Sequence, residues 1–355
     1  MTAMAGPGGG ADGAAGGGPG RGAGGGAGGA RQMRAAVVRR HGAPPEFGTH
    51  PAPRRSAGQA LVRVTAAPIS PLDLLCASGT SYFGAPALPY APGVQGVGII
   101  EDADTLPAGQ RVWFSCDAGM RPGDGAMAEL CAADEAGIVR LPDGVGDDLA
   151  AALGLSAIAA WMALTWRGGL RPGEHVLVLG ASGTVGQVGV QAARLRGAGR
   201  VVAACRDPHG RDRAAELGAD AVADLSGDDP DAITARLAEA TAGRADLVLD
   251  PVWGHPAEAA LRVLSPHGRL VNLGSTAGPS AAFGSAALRG GSLSVLGYTN
   301  NALSHEQKAA ALGEILALAA AGRLTTDRET LPLERAADGW SRCGQPPHRR
   351  AVLIP

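Results

Sequence analysis

The chain has 355 residues, room for two modest domains or one large one. Its 31 basic and 33 acidic side chains leave a formal net charge of −2, so the basic face that a nucleic-acid binder needs is not expected. Nowhere do eighteen apolar residues run together, and no membrane span is expected.

From Gly6 to Gly29 the chain is almost all Gly, Ala and Pro, with Asp12 and Arg21 the only charges. Such a segment has too little apolar surface to offset the entropy of ordering, and residues 1–32 are read as a disordered leader. It lacks the Leu/Val-rich stretch of a signal peptide. From Met33 to Pro142 short apolar runs alternate with Gly and Pro: Ala35–Val38, Ala60–Val64, Val97–Ile100, Arg111–Phe114 and Gly137–Leu141. That spacing predicts an irregular β-rich domain.

From about Ala151 the pattern turns to strand–helix alternation. His175–Leu179 is a continuous apolar run, as in a strand covered on both faces. Val185, Val188, Ala192 and Leu195 then recur at helical spacing. Val201–Cys205 reads as a second strand and Asp212–Leu217 as a short helix stopped by Gly218. Ala221–Ala223, Leu247–Leu249, Leu270–Leu273 and Leu293–Leu296 are further strand candidates. Together they predict an α/β fold with a Rossmann-type, doubly wound parallel sheet. Trp161 and Trp166 sit in an apolar helical stretch and are expected in the core. Ser304 with Gln307 makes a capping box for the last long helix, and Gly322 supplies its stop. The tail Ala351–Ile354 reads as one more strand, expected to return to the first domain. Cys76, Cys116, Cys131, Cys205 and Cys343 are scattered without a C-x-x-C pair, which suits free thiols in a reducing cytoplasm.

The most informative motif is Gly180-Ala181-Ser182-Gly183-Thr184-Val185-Gly186, directly after a strand and opening a helix. Small residues let the backbone turn sharply and approach a pyrophosphate, and the free N–H groups of the helix start face the phosphates. Ala181, Ser182, Gly183, Thr184, Val185 and Gly186 are therefore candidate cofactor-binding residues. In NAD enzymes an acidic residue about 20 positions on takes the ribose 2′-OH. Here the next strand ends at Cys205-Arg206 with no acid at its tip, and Arg206 and Arg211 suit a 2′-phosphate, so NADPH is the expected cofactor. The competing reading makes both arginines solvated and gives the ribose to Asp207.

The stretch G-E-H-V-L-V-L-G-A-S-G-T-V-G-Q-V-G-V-Q-A-A-R (Gly173–Arg194) resembles the signature of the zinc-independent quinone oxidoreductase (zeta-crystallin-like) branch of the medium-chain dehydrogenase/reductase superfamily, with Thr184 where Gly is usual. Ser70–Asp73 (S-P-L-D) resembles the family's N-P-x-D, and Ser78–Gly93 and Asp246–Gly254 resemble its following segments. The resemblance implies a GroES-like catalytic domain over 33–153 and 302–355 and a Rossmann dinucleotide-binding domain over 154–301. It also implies a homodimer joined through the edge strand Leu293–Tyr298. Zinc-binding members carry ligands at positions that here are Ser70, Val94-Gln95 and Leu155, so no metal is expected.

The same resemblance implies hydride transfer from NADPH to a quinone or conjugated enone, while the free thiols, balanced charge and short apolar runs predict a cytoplasmic protein with no nucleic-acid or membrane partner. Tyr82, Ser70 and Asp73 are the catalytic candidates. Tyr82 is either a hydrogen-bond donor to the substrate or a residue that lines the cleft; Asp73 is either a base or a structural acceptor. Asn272, Gly274 and Ser275 are expected beside the nicotinamide, and Trp253 and His255 are candidate specificity elements. Ala159 stands where the family often has Thr. The alternatives are an enoyl-thioester or secondary-metabolism tailoring reductase, and a non-catalytic NADPH-binding protein.

Overall fold

The short apolar runs of the first third become strands, and their Gly and Pro breaks become the turns between them. A computed structural model describes residues 31–355; the Gly/Ala-rich stretch read as a leader lies outside the described residues. β1 (Gln32–Val37) and β2 (Glu46–Pro51) pair antiparallel as a ribbon. β3 (Gln59–Pro68) leads into the short helix α1 (Pro71–Ala77), followed by β4 (Gln95–Asp102), β5 (Arg111–Ser115), β6 (Leu130–Asp134) and β7 (Val139–Arg140). β2 and β6 were not foreseen. β2 buries none of its residues fully, and β6 is mostly small side chains, so neither shows the apolar run that marks a strand.

Next comes α2 (Asp147–Met162), which continues as a π-helical turn to Arg167. By length and composition the 21 residues Asp147–Arg167 would suffice to cross a bilayer, contrary to the expectation from simple apolar runs. The helix is instead a core element: 61% of its apolar window is buried inside the molecule. It packs against β3 and β4 on one side and against α3 (Thr184–Leu195) on the other. Trp161 is 3% exposed as expected, whereas Trp166 is 46% exposed, because the π-helical turn rotates it off the buried stripe.

The α/β half follows its sequence pattern closely. β8 (His175–Leu179), α3, β9 (Arg200–Cys205), α4 (Pro208–Glu216), β10 (Ala221–Asp224), α5 (Pro230–Thr241), β11 (Ala245–Asp250), α6 (Gly254–Arg262), β12 (Leu264–Asn272), α7 (Ser285–Gly291) and β13 (Ser294–Gly297) follow in order. The six strands are parallel in the order β10-β9-β8-β11-β12-β13, so strand order reverses between β8 and β11. Alternate residues of β8 feed the two faces: Val176 and Val178 enter one core, Leu177 and Leu179 the other. That explains why the strand is apolar throughout. α4 begins four residues earlier than expected, because Asp207 caps it by accepting from Gly210 N at 3.1 Å and Pro208 opens it.

α8 (His305–Ala320) starts at the foreseen capping box, Ser304 Oγ accepting from Gln307 N and Gln307 Oε1 from Ser304 N. Gly322 follows its end at φ +69°. β14 (Arg328–Pro332), α9 (Ala336–Arg342) and β15 (Arg350–Ile354) complete the described chain. β15 lies between β14 and β3 in the sheet β14-β15-β3-β4-β5-β7, with β6 added on β3, so the tail does return to the first domain.

Candidate functional site

The phosphate loop links the end of β8 to α3 at the point where strand order reverses. Gly180 turns the chain at φ +61°. Gly186 is fixed by close packing: a Cβ there would lie 2.5 Å from Ala181 Cα and closer still to Gly180 O. A Cβ at Gly183 would meet only Gly180 O, at 3.7 Å, so that side of the loop is open. Gln187 N closes the first helical bond onto Gly183 O at 2.9 Å, and the N–H groups of Thr184, Val185 and Gly186 have no acceptor among the described residues. Three open N–H groups at the positive end of a twelve-residue helix fit a pyrophosphate.

A cleft runs from Gly183 and Thr184 to Ile69, Pro71, Cys343, His348, Arg349 and Arg350. His348 and Arg349, and Arg350 at the start of β15, were not singled out from the sequence. Their one visible signal was the run His348-Arg349-Arg350 ahead of a strand. Arg350 is 8% exposed; it donates from Nη1 to Ile69 O at 2.7 Å and from Nη2 to Ser156 Oγ at 3.0 Å, while its buried Nε has no partner. Burial lowers its pKa.

Ser70 and Asp73 come together at the start of α1. Asp73, 1% exposed, takes Ser70 Oγ at 2.6 Å and Ser70 N at 2.7 Å on one oxygen and Val94 N at 2.9 Å on the other. Its acceptors thus fasten α1 to the Gly93–Gln95 segment. Burial raises its pKa, and the Ser70 and Val94 hydrogen bonds work against that rise. Tyr82 is 77% exposed, its ring tilted at 38° to that of Phe83 with centroids 4.1 Å apart, its hydroxyl without a partner among the described residues.

At the tip of β9 the three candidates separate. Cys205 is 2% exposed and its thiol is pushed up to about 11 by burial. It packs behind the phosphate loop, where a Cβ added to Gly210 of α4 would collide with Ser182 and lie 3.2 Å from Cys205 Sγ. Arg211 is already engaged, by Asp224 at 3.0 Å and by the carbonyls of Cys205 and Arg206. Arg206 is exposed and has no side-chain partner among the described residues. Asp207 is occupied as the α4 cap.

Across the strand-order reversal, Asp250 and Asn272 end β11 and β12. Asp250 is fully buried; it accepts from Val252 N at 3.0 Å, Trp253 N at 2.8 Å and Asn272 Nδ2 at 3.0 Å. Asn272 also donates to Gly274 O at 2.7 Å, and a Cβ on Gly274 would collide with Pro251 O. Ser275 follows on the same exposed segment. Trp253 sits at φ 62°, ψ −159°, a region nearly reserved for Gly, with its ring edge-on to Phe283 at 5.3 Å. His255 is paired with Glu258 at 3.2 Å.

Burial raises the pKa of Asp250 above its ordinary 3.8. The unfolded chain therefore ionises first, and the folded state bears a penalty that is absent below pH 3.8 and grows as pH rises toward the folded value. Asp250→Asn removes that penalty. Urea unfolding at pH 4 and pH 7 is expected to show wild type losing stability relative to the Asn variant between the two; an unchanged difference refutes the assignment.

Comparison with known proteins matches this geometry. The profile of the alcohol dehydrogenase GroES-like domain fits residues 56–143, and that of the zinc-binding dehydrogenases fits residues 184–316. The chain belongs to the medium-chain dehydrogenase/reductase superfamily, in its quinone-oxidoreductase-like branch. It is 30% identical over 314 residues to a subunit of the phenolphthiocerol/phthiocerol polyketide synthase of Mycobacterium tuberculosis, covering 85% of this chain and 14% of that protein. It is 35% identical over 143 residues to the quinone oxidoreductase of Homo sapiens, covering 39% of this chain and 42% of that one. A solved quinone oxidoreductase of Pseudomonas syringae pv. Tomato DC3000 superposes with a TM-score of 0.78 at 25% identity, over 91% of this chain and all of that one. The chain thus spans less than half the length of each of these two sequence relatives.

The match to zinc-binding dehydrogenases raises the question of zinc. Gln95 Oε1 accepts from Leu155 N at 2.7 Å and Trp113 Nε1 at 3.2 Å, and Val94 N and the Ser70 hydroxyl are both spent on Asp73. Among the described residues no three His, Cys, Asp or Glu side chains form a group able to hold a metal. A committed amide, a hydroxyl and two hydrocarbons do not fit zinc.

Proposed function

We propose that the chain is a zinc-independent, NADPH-dependent reductase that delivers hydride to a quinone or conjugated enone, with 33–153 and 302–355 as its catalytic domain and 154–301 as its cofactor domain. The observation that carries this reading is the row of open N–H groups on Thr184, Val185 and Gly186, bordering a cleft with Arg349 and Arg350 on its other wall. NADPH would be held there by the pyrophosphate, with Ala181, Ser182, Gly183 and Cys205 shaping the loop and Arg206 reaching the 2′-phosphate. Arg211 would act behind Arg206, fixing the backbone of residues 205–206. Asn272, Gly274 and Ser275 would border the nicotinamide, which when bound supplies the hydride.

The protein's own task is to hold the partners in contact and to meet the charge that develops on the substrate carbonyl oxygen. Tyr82 is the donor proposed for that oxygen, since its hydroxyl is uncommitted. Ser70 and Asp73 would act by fixing the Gly93–Gln95 segment to the start of α1. We place the protein in the cytoplasm as a homodimer paired through β13, a sheet-edge strand with Val295 37% exposed.

Titration with NADPH and NADH, followed by cofactor oxidation with 1,4-benzoquinone, a simple enone and a crotonyl thioester, tests the reading. Failure to hold either cofactor sinks it. The match to a polyketide synthase subunit over 85% of the chain favours a second reading, in which the crotonyl thioester turns over fastest. Arg206→Ala is expected to raise the KM for NADPH about tenfold and leave that for NADH unchanged, which steady-state kinetics with both cofactors will show. Equal effects on the two would return the ribose to Asp207.

A further inference from the structure

Gln187 lies in the first turn of α3, 2% exposed, inside the stretch that resembles the family signature but outside the candidate cofactor-binding residues. Its side-chain amide uses its full hydrogen-bonding capacity. Nε2 donates to Ser182 O at 2.9 Å and to Asp327 Oδ2 at 3.3 Å; Oε1 accepts from Asp327 N at 2.8 Å and Thr326 Oγ1 at 3.1 Å. One amide therefore ties the phosphate loop to the segment that leads into β14. That segment is anchored further by Arg213, which donates to Asp327 at 2.9 Å, and Asp327 O receives Arg350 N at 2.9 Å. The connection from the phosphate loop to the arginines on the opposite wall of the cleft is continuous.

We propose that Gln187 is a positioning residue for the dinucleotide: it fixes the Ser182–Gly183 peptide plane and locks the phosphate loop in register with the Arg349–Arg350 wall. The inference rests on the reading of this cleft as a dinucleotide site. Without the Nε2 donor, the Ser182 carbonyl is free to turn, and a turned carbonyl presents its negative end where the phosphates bind. Without the Oε1 contacts, the wall that carries Arg349 and Arg350 shifts relative to the open N–H groups. Both effects weaken ground-state binding of the cofactor, and neither touches the reacting atoms.

Gln191, one turn on, is the internal control. It holds the same segment through Thr325 N at 3.0 Å and Thr325 O at 2.8 Å, and donates from Nε2 to Gln187 O at 2.9 Å, but makes no bond to residues 180–186. Gln187→Met keeps the volume and removes all four bonds; Gln187→Glu keeps both acceptors and removes both donors. NADPH affinity by fluorescence titration, with kcat and KM measured on whichever acceptor the wild type reduces, separates the roles. The expected result is an NADPH Kd about tenfold weaker in both Gln187 variants. The KM for NADPH rises in parallel while kcat at saturating NADPH stays within about twofold. Gln191→Met, which leaves the Ser182 contact intact, is expected to lower the melting temperature and to weaken the Kd by less than either Gln187 variant.

If Gln187→Met does not fold, Gln187→Glu decides alone. An unchanged Kd in a folded Gln187 variant, or an equal loss in Gln191→Met, overturns the proposal. Wild-type protein that binds neither NADPH nor NADH overturns the site reading instead, so the two failures are distinguishable.

Discussion

Gly186→Val is expected to abolish NADPH binding, with affinity falling at least about a thousandfold in a protein whose β-rich half remains folded. The cause is steric rather than chemical. A Cβ at this position lies 2.5 Å from Ala181 Cα and nearer to Gly180 O, both backbone atoms with no flexible end to give way. Relief requires α3 to move off the loop at the end of β8, and that movement withdraws the N–H groups of Thr184, Val185 and Gly186 from their convergence. A Val adds two further methyl groups to the conflict and disfavours the first turn through its branched Cβ. Overpacking of this kind costs about 1–3 kcal/mol in stability, while lost phosphate contacts cost affinity separately. Calorimetric titration with NADPH, beside circular dichroism to verify folding, makes the measurement. Retention of binding within tenfold would show that the loop does not carry the cofactor.

Asp73→Ala is expected to lower unfolding free energy by about 4 kcal/mol and to remove activity with every acceptor. The substitution strands Ser70 N, Ser70 Oγ and Val94 N in a buried place, three donors that had one acceptor group between them. It also deletes the negative charge that favours the protonated form of the buried Arg350 guanidinium. Asp73→Asn retains one carbonyl oxygen and is expected to lose about half as much. Denaturant titration of the two variants against wild type measures this. A cost below about 1 kcal/mol for the Ala variant would show that the Gly93–Gln95 segment is held by its packing instead.

The α/β half was legible because its physics is local. A strand buried on both faces is apolar at every position, as in β8, and a helix on the sheet repeats its apolar face at a fixed interval, as in α3. The phosphate loop was legible for the same reason: small residues, strand before, helix after. Ser70 and Asp73 were found, but their spacing is also that of a capping box, and the structure uses it as one. The missing pieces are long-range. Gln187 meets Asp327 across 140 residues, and Arg350 meets Ile69 across 281, pairings for which no local pattern exists. Trp166 looked like core because its neighbours are apolar, and only the change of helical pitch after α2 turns it outward.

The place of β15 in the first sheet has a bearing on how the molecule comes to be made. A ribosome delivers β3, β4 and β5 early, yet the strand that must lie beside β3 emerges after every element of the parallel sheet has been synthesised. The parallel sheet, whose strands are consecutive in the nascent polypeptide, is able to assemble while translation continues; β3 has β4 and β6 beside it by then, and only its end at Ala67–Pro68 waits for β15. The half of the protein that begins first is therefore the half that finishes last.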